Sequence, residues 1–213
     1  MKNITELKEI HKGHDIYVVA SGASAGHIEP SFFDNKIAIG VNQVWKRFNN
    51  LDYIVRKESQ RMAASKTASK SMGFKLIVSR HNCGTLAYAE NAGGDYVFDH
   101  LDNGLAKINL SVVGTDKIVV SHSTITSAIH IAAYMGAANI IVIGHDCGTL
   151  DGQINFTGYG EAIAGKAFYE KFITGIEPQT LALREKLKEV YGCNVYSLNP
   201  FINFGLEGHV YER

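Results

Sequence analysis

The stretch Asp15–Val44, DIYVVASGASAGHIEPSFFDNKIAIGVNQV, carries the pattern that decides the fold. An apolar run, Ile16–Ala20, ends in the small-residue turn Ser21–Gly26. A second apolar run, Ile37–Val41, ends in Asn42-Gln43. Runs of this length, bounded by turn residues, are typical of strands buried on both faces of a parallel sheet. Because ligands of such sheets bind outside the carboxyl ends of the strands, the two strand ends are predicted to be walls of one nucleotide or phosphate pocket.

The same alternation of strand and helix patterns continues along the chain. Further apolar runs predict strands at Tyr53–Val55, Leu76–Val78, Ile118–Val120, Ile140–Ile143 and Val195–Leu198. Ser123–Met135 has apolar residues at helical spacing and stops at Gly136, a helix C-terminal signal. Glu177–Tyr191 predicts another helix, with Pro178 near its first turn. The alternation predicts an α/β protein with a Rossmann-like open, mostly parallel sheet and helices on both faces.

The 213 residues are assigned to a single domain, 1–213, because no Pro-rich linker or repeat divides them. Two loop-rich segments, at about 84–109 and 147–165, hold many Gly, Asn and Asp residues and are predicted to be lids over the pocket. The Ser/Lys/Ala-rich residues 57–72 predict either an exposed helix or a mobile surface segment.

The charge balance argues against two classes of partner. Lys plus Arg equals Asp plus Glu, at 21 each, so no overall field attracts nucleic acid or an anionic membrane surface. No apolar run approaches the roughly 20 residues that span a bilayer, and the polar N-terminus has no signal-peptide pattern. We therefore expect a cytoplasmic protein with no nucleic-acid partner and no transmembrane segment, and leave open a homo-oligomer.

Polar residues at the predicted strand ends are the candidates for phosphate and sugar binding. Ser21, Gly22 and Ser24 can bring backbone N–H groups and hydroxyls to an anion. Asn42 and Gln43 add amide donors and acceptors. The alternatives are a tight strand-to-helix turn for the first group and a loop that satisfies its own backbone for the second.

The start of the predicted helix at residue 123 is the strongest local feature. Capping requires one hydroxyl, whereas five hydroxyls and a histidine crowd this position: Ser121, His122, Ser123, Thr124, Thr126 and Ser127. A phosphate held at the positive end of the helix dipole accounts for the excess.

Candidate groups for proton transfer lie on the next strand end and in the second loop. His145 and Asp146 could be a general base with its orienting carboxylate, or could contact ribose, and a structural role for each is an equal alternative. Tyr159 could cover a substrate or anchor its loop. No zinc pattern and no acidic cluster predict a bound metal, so no cofactor is expected.

The assembled chain resembles the bacterial sialyltransferases of glycosyltransferase family 42. It is also similar to a wider set that includes the motility accessory (DUF115-like) glycosyltransferases and archaeal pterin pyrophosphokinase-like proteins. Six segments match the family's motifs in order and spacing: Ala20–Ser24, Ile28–Pro30, Val41–Gln43, Ser123–Gly136, Ile140–Asp146 and Leu183–Asn203.

The resemblance implies a nucleotide site for a CMP-activated sugar. It assigns donor phosphate and ribose to Ser21, Gly22, Ser24, Asn42, Gln43, Ser123 and Thr124, with Thr126 and Ser127 as the alternative pair at the helix start. The family's general-base histidine precedes its last helix, where this chain reads Ile173-Thr174-Gly175-Ile176. We therefore expect a base from another position, His145 or His122, with Tyr159 assisting the leaving phosphate.

Three functions remain open from the sequence. The first is metal-independent transfer of a sugar, in particular a sialic-acid-like one, from a nucleotide donor to a hydroxyl of a glycan or other acceptor. The second is pyrophosphoryl transfer on the same fold, which needs Mg²⁺ at carboxylates such as Asp146 or Asp151. The third is a nucleotide-binding protein without catalysis.

Overall fold

The computed structural model describes residues 1–57, 62–81, 93–101, 107–160 and 166–198, and only the backbone of 166–174. Within these ranges eight strands form one sheet: β1 Lys2–Asn3, β2 Asp15–Val19, β3 Ile37–Val41, β4 Tyr53–Arg56, β5 Lys75–Ser79, β6 Tyr96–Phe98, β7 Asn139–Ile143 and β8 Asn194–Ser197. The α-helices of the described ranges are α1 Met62–Met72, α2 Thr124–Tyr134 and α3 Lys166–Tyr191.

The sheet is open, and all of its strand pairs are parallel. Its order is β1-β6-β5-β4-β3-β2-β7-β8. In register, Val18 of β2 lies between Ile39 of β3 and Val142 of β7. The chain steps outward from β2 to β6 and then returns to add β7 on the other side of β2. This reversal is the topological switch point of the sheet, where ligands of such folds bind.

Helices cover both faces of the sheet, as the sequence predicts. On one face, Ile129 of α2 and Leu187 of α3 belong to the apolar core that includes Val18 of the central strand. On the other face, Met62 of α1 packs in a second core with Val19. The single Rossmann-like α/β sheet is therefore confirmed. Among the described helices, none is long and apolar enough to cross a membrane.

Two predictions from the sequence, one of a lid and one of a strand, are wrong. Residues 84–109 are not a continuous lid, because Tyr96–Phe98 is a sheet strand whose three residues stand among Gly, Asn and Asp residues. Ile118–Val120 is no strand, although it is buried. Only the residue before this run, Lys117, pairs with the sheet, through an isolated bridge to Asp99. The chain then leads into α2. Residues 84–92 and 102–106 of the first predicted lid and 161–165 of the second lie outside the described residues.

The helices also depart from the sequence pattern. The last one begins at Lys166, well before the predicted start at Glu177, so Pro178 lies inside it rather than near its first turn. A proline removes one backbone hydrogen bond from a helix, and the buried contacts of Leu183 and Leu187 stabilise α3 despite that loss. Of the two readings of residues 57–72, the helix is found, at Met62–Met72.

Candidate functional site

A pocket opens at the switch point, between the carboxyl ends of β2, β3 and β7 and the first turn of α2. Its volume is about 100 Å³, less than the roughly 300–1,000 Å³ of drug-sized sites, so the described walls offer room for a phosphate group rather than a whole nucleotide sugar. Seven predicted site residues line it: Ser21, Gly22, Asn42, Ser123, Thr124, His145 and Asp146. Six predicted residues are not among its lining residues: Ser24, Gln43, His122, Thr126, Ser127 and Tyr159.

The turn after β2 packs directly on the end of β7. The Gly22 N–H donates to the Gly144 carbonyl at 2.8 Å, and a Cβ added to Gly22 would lie 2.4 Å from that oxygen. The Ser21 hydroxyl donates to the Asn155 Oδ1 at 2.9 Å. The glycine therefore serves the close packing of two strand ends, and Ser21 ties the second loop-rich segment to the pocket rim.

A buried carboxylate joins the same two strand ends. Asp146, after β7, is only 3 % exposed. Its Oδ2 accepts the Ser24 N–H at 2.9 Å, and its Oδ1 accepts the Ser24 hydroxyl in a short hydrogen bond. We call this pair the Ser24–Asp146 latch. Both residues were predicted from the sequence to contact a ligand, and the structure brings them to each other.

The two amides after β3 have different surroundings. Asn42 lines the pocket in a left-handed backbone conformation, with φ of 55°. Its N–H donates to the Val55 carbonyl of the neighbouring strand at 3.0 Å, which fixes the residue at the strand end. Gln43 is 7 % exposed, and its Oε1 has no hydrogen-bond partner among the described residues. Of the two, Asn42 is the one placed to contact a ligand in this pocket.

The first turn of α2 is open toward the pocket. Ser123 is the N-cap residue, but its side chain makes no capping hydrogen bond. Thr124 lines the pocket and is 7 % exposed, and its hydroxyl has no hydrogen-bond partner among the described residues. The first N–H groups of a helix have no partner within the helix and carry its positive dipole end. This turn therefore has the donors that an anion requires.

The other hydroxyls of this region are used inside the protein. The Thr126 hydroxyl donates to the Ser123 carbonyl at 2.8 Å and lies 2.8 Å from the Ser121 Oγ. The Ser127 hydroxyl donates to the Val119 carbonyl at 2.7 Å. Thr126 and Ser127 are fully buried. Of the two pairs left open by the sequence, the geometry favours Ser123 and Thr124 for ligand contact.

His145 is a buried imidazole in the pocket wall. Its Nε2 lies 2.9 Å from the Thr180 Oγ1, and the Thr180 hydroxyl donates to the Ile176 carbonyl at 3.0 Å. Because a hydroxyl has one proton, this arrangement makes Nε2–H the donor to Thr180 and leaves Nδ1 as the acceptor nitrogen. Burial lowers the pKa of His145 to about 4, so the ring is neutral at pH 7 and can accept a proton.

Lys57 is a buried residue beside the site that could not be selected from the sequence. It follows β4, is 2 % exposed, and its ammonium donates a short hydrogen bond to the Ser121 carbonyl. Burial, and then the nearby Lys57 charge, lower the pKa of His122. The Ser/Lys/Ala-rich context predicted a surface position, and lysines are rarely buried; only the apolar run immediately before Lys57 hinted that it follows a central strand.

Tyr159 is an apolar anchor of the second loop. It is buried in the core on the face of α1, with its ring centroid 5.3 Å from that of Phe156. Its backbone carbonyl accepts the Lys46 ammonium at 2.9 Å. The structure thus favours the anchoring alternative over a contact with substrate in this pocket.

The carboxylates suggested for Mg²⁺ do not form a metal site in the described ranges. Asp151 lies in an exposed turn with φ of 51°, and the Asp146 oxygens already accept hydrogen bonds from Ser24. No group of three or more His, Cys, Asp or Glu side chains among the described residues is arranged to hold a metal ion.

Comparison with known proteins gives one structural likeness. No protein-family model matches the chain, and no curated protein matches it. A solved structure of the sialyltransferase CstII from Campylobacter jejuni, in complex with the substrate analogue cytidine-5'-monophosphate, is similar with a TM-score of 0.53 and 13% sequence identity. The match covers 90% of this chain and 82% of that chain. The chain therefore has the Rossmann-like α/β fold of that sialyltransferase.

Proposed function

We propose that this protein is a glycosyltransferase that moves a sugar from a nucleotide donor to a hydroxyl of a glycan or other acceptor, with a CMP-activated sialic-acid-like sugar as the first donor to test. The observation that carries the proposal is the pocket at the switch point, where Asn42, Thr124 and His145 meet the open first turn of α2. The likeness in fold to a sialyltransferase solved with CMP supports the choice of nucleotide.

The donor phosphate would bind at the first turn of α2. Backbone N–H groups at a helix N-terminus and the hydroxyl of Thr124 supply donors to phosphate oxygens. The amide of Asn42, at the end of β3 across the pocket, can bind ribose or phosphate through either its oxygen or its nitrogen. Donors fixed in this way stabilise the charge that develops on the phosphate as the sugar leaves.

His145 would accept the proton of the acceptor hydroxyl. As the acceptor oxygen bonds to the anomeric carbon, the bond from that carbon to the phosphate oxygen breaks, CMP leaves with the electron pair, and the proton moves to the imidazole. A pKa of about 4 makes a weak base, but a phosphate anion in the pocket favours the protonated ring and raises its pKa. His122 is outside this pocket wall, which makes His145 the better candidate.

A donor screen tests the proposal. CMP-, UDP- and GDP-sugars are incubated with the protein in EDTA and in Mg²⁺, and nucleotide release is followed with and without hydroxyl acceptors. We expect CMP release from a CMP-sugar without metal, and at least a hundredfold slower release by His145→Gln, while exposed His14→Gln serves as the matched control.

Other outcomes of the screen select the other functions. Turnover of ATP that requires Mg²⁺ would replace the proposal with phosphoryl or pyrophosphoryl transfer. Tight CMP binding without release from any CMP-sugar would indicate a binding protein that lacks catalysis. Equal rates for His145→Gln and the wild type would remove His145 from the mechanism while leaving the transferase assignment in place.

A further inference from the structure

The turn that precedes α2 is held from two sides. On one side, the Ser121 hydroxyl accepts the Ser123 N–H at 3.2 Å and lies 2.8 Å from the Thr126 Oγ1. On the other side, the Lys57 ammonium donates to the Ser121 carbonyl. Ser121 itself is fully buried. These contacts determine where Ser123 and Thr124 stand in the pocket wall.

The ammonium of Lys57 is close to the open helix start. Ser121 and Ser123 are two residues apart, which is at most about 7 Å of chain, so the Lys57 charge lies within about 10 Å of the first turn of α2. The charge is felt in this region, since it contributes to the lowered pKa of His122. The side chain is 2 % exposed, and solvent therefore screens its charge less than it would a surface lysine.

The pocket wall shows a second sign that a ligand belongs there. Thr124 is more than nine-tenths buried and lines the pocket, and its hydroxyl has no hydrogen-bond partner among the described residues. A hydroxyl that lines a pocket without a protein partner can both donate to and accept from a ligand. A ligand oxygen at this position would accept hydrogen bonds both from the hydroxyl and from the N–H groups of the first turn.

We propose that Lys57 is a positioning residue of a phosphate site at the start of α2: it holds the Ser121 carbonyl so that Ser123 and Thr124 face the pocket, and its positive charge increases the affinity for a doubly charged phosphate. The inference deepens the proposed function, on whose phosphate site it rests. Lys57 acts through the turn and through its field, and not by direct contact with the sugar.

Three substitutions separate the hydrogen bond of Lys57 from its charge. Lys57→Arg keeps both, Lys57→Gln keeps an N–H donor without the charge, and Lys57→Met keeps neither. Lys70→Met is the matched control, because Lys70 is exposed in the last turn of α1, at the opposite edge of the sheet. Inorganic phosphate, CMP and neutral cytidine are titrated, and protein NMR shifts report both binding and the titration of His122.

We expect the Gln and Met variants to bind inorganic phosphate and CMP at least tenfold more weakly, because two unit charges about 10 Å apart already give a ratio above tenfold at an effective dielectric constant near 20, and a doubly charged phosphate gives a larger one. The affinity for neutral cytidine should change by less than twofold in every variant. The affinity for phosphate and CMP should change by less than twofold in Lys57→Arg and Lys70→Met. The pKa of His122 should rise in Lys57→Gln and Lys57→Met, because both remove the charge that lowers it. If Lys57 acted only through its hydrogen bond, Lys57→Gln would leave this pKa unchanged.

Two results would overturn the inference: phosphate affinity unchanged in folded Lys57→Gln, or no binding of inorganic phosphate by the wild type. The proposed function fails separately. If phosphate binds in a Lys57-dependent manner but neither CMP nor any CMP-sugar is bound or turned over, the phosphate site stands and the CMP-sugar transferase does not.

Discussion

The Ser24–Asp146 latch should be a major source of stability at the pocket. Ser24→Ala removes the hydroxyl that donates to Asp146 Oδ1 and leaves the N–H that donates to Oδ2. The carboxylate is 3 % exposed, so water has little access to the oxygen that loses its donor. A hydrogen bond to a charged group contributes about 1.5–3 kcal/mol, and we expect a loss of about 2 kcal/mol in the free energy of unfolding.

Urea unfolding at pH 7 measures this loss directly. For a chain of 213 residues, about 2 kcal/mol corresponds to a fall of about 4–8 °C in Tm. Ser31→Ala is the matched control, because Ser31 is exposed and lies in the turn that follows the same segment. The m-value should stay at its wild-type value, since the change affects a contact and not the surface exposed on unfolding.

A double-mutant cycle isolates the latch from other effects of each substitution. Asp146→Ala removes both acceptor oxygens of the latch, so its combination with Ser24→Ala measures the interaction between the hydroxyl and the carboxylate. We expect a coupling energy of about 1–2 kcal/mol between the two sites. Ser24→Ala as stable as Ser31→Ala, or a coupling energy near zero, would refute the latch.

Three further predictions follow from the same region. Gly22→Ala should lower Tm by several degrees, because its Cβ would lie 2.4 Å from the Gly144 carbonyl oxygen. Thr124→Val should weaken CMP binding about tenfold in calorimetry and leave the free energy of unfolding within about 0.5 kcal/mol of the wild type. Thr126→Val should lower the free energy of unfolding by about 1–2 kcal/mol. The opposite result for the two variants would make Thr126 the ligand contact and Thr124 the structural residue. Because the folded pKa of His145, about 4, is below the ordinary 6.5, the unfolded chain binds more protons between those values. Between these pH values His145 should therefore lower the free energy of unfolding by about 1.4 kcal/mol for each pH unit of acidification. In His145→Gln, the free energy of unfolding measured in urea should depend on pH less steeply by that amount.

The main strands could be predicted from the sequence because their β-branched apolar runs are long. Ile16–Ala20, Ile37–Val41 and Ile140–Ile143 coincide with β2, β3 and β7 to within a residue. Two short strands, β1 and β6, could not be predicted, since Lys2–Asn3 and Tyr96–Phe98 have two and three residues and owe their structure to pairing with each other and with β5. Lys2–Asn3 contains no apolar residue, and the three apolar residues of Tyr96–Phe98 stand among the Gly, Asn and Asp residues that predict a loop.

The candidate site was predictable in its location and less so in its contacts. Strand ends identify the pocket wall, which is why Asn42, Thr124 and His145 could be selected from the sequence. Whether a polar residue faces a ligand or another residue depends on partners far away in the chain. Asp146 meets Ser24 only because β7 pairs with β2, and Lys57 reaches Ser121 only because α2 starts beside the end of β4.

Calorimetric titration of CMP tests most directly whether this pocket is a nucleotide site. We expect binding in EDTA that Mg²⁺ does not strengthen. Thr124→Val should weaken it at least tenfold, and so should Asn42→Gly, in which glycine tolerates the left-handed backbone at that position. Ser31→Ala should bind as the wild type does. Failure of the wild type to bind CMP, or full affinity in Asn42→Gly and Thr124→Val, would show that this pocket is not a nucleotide site.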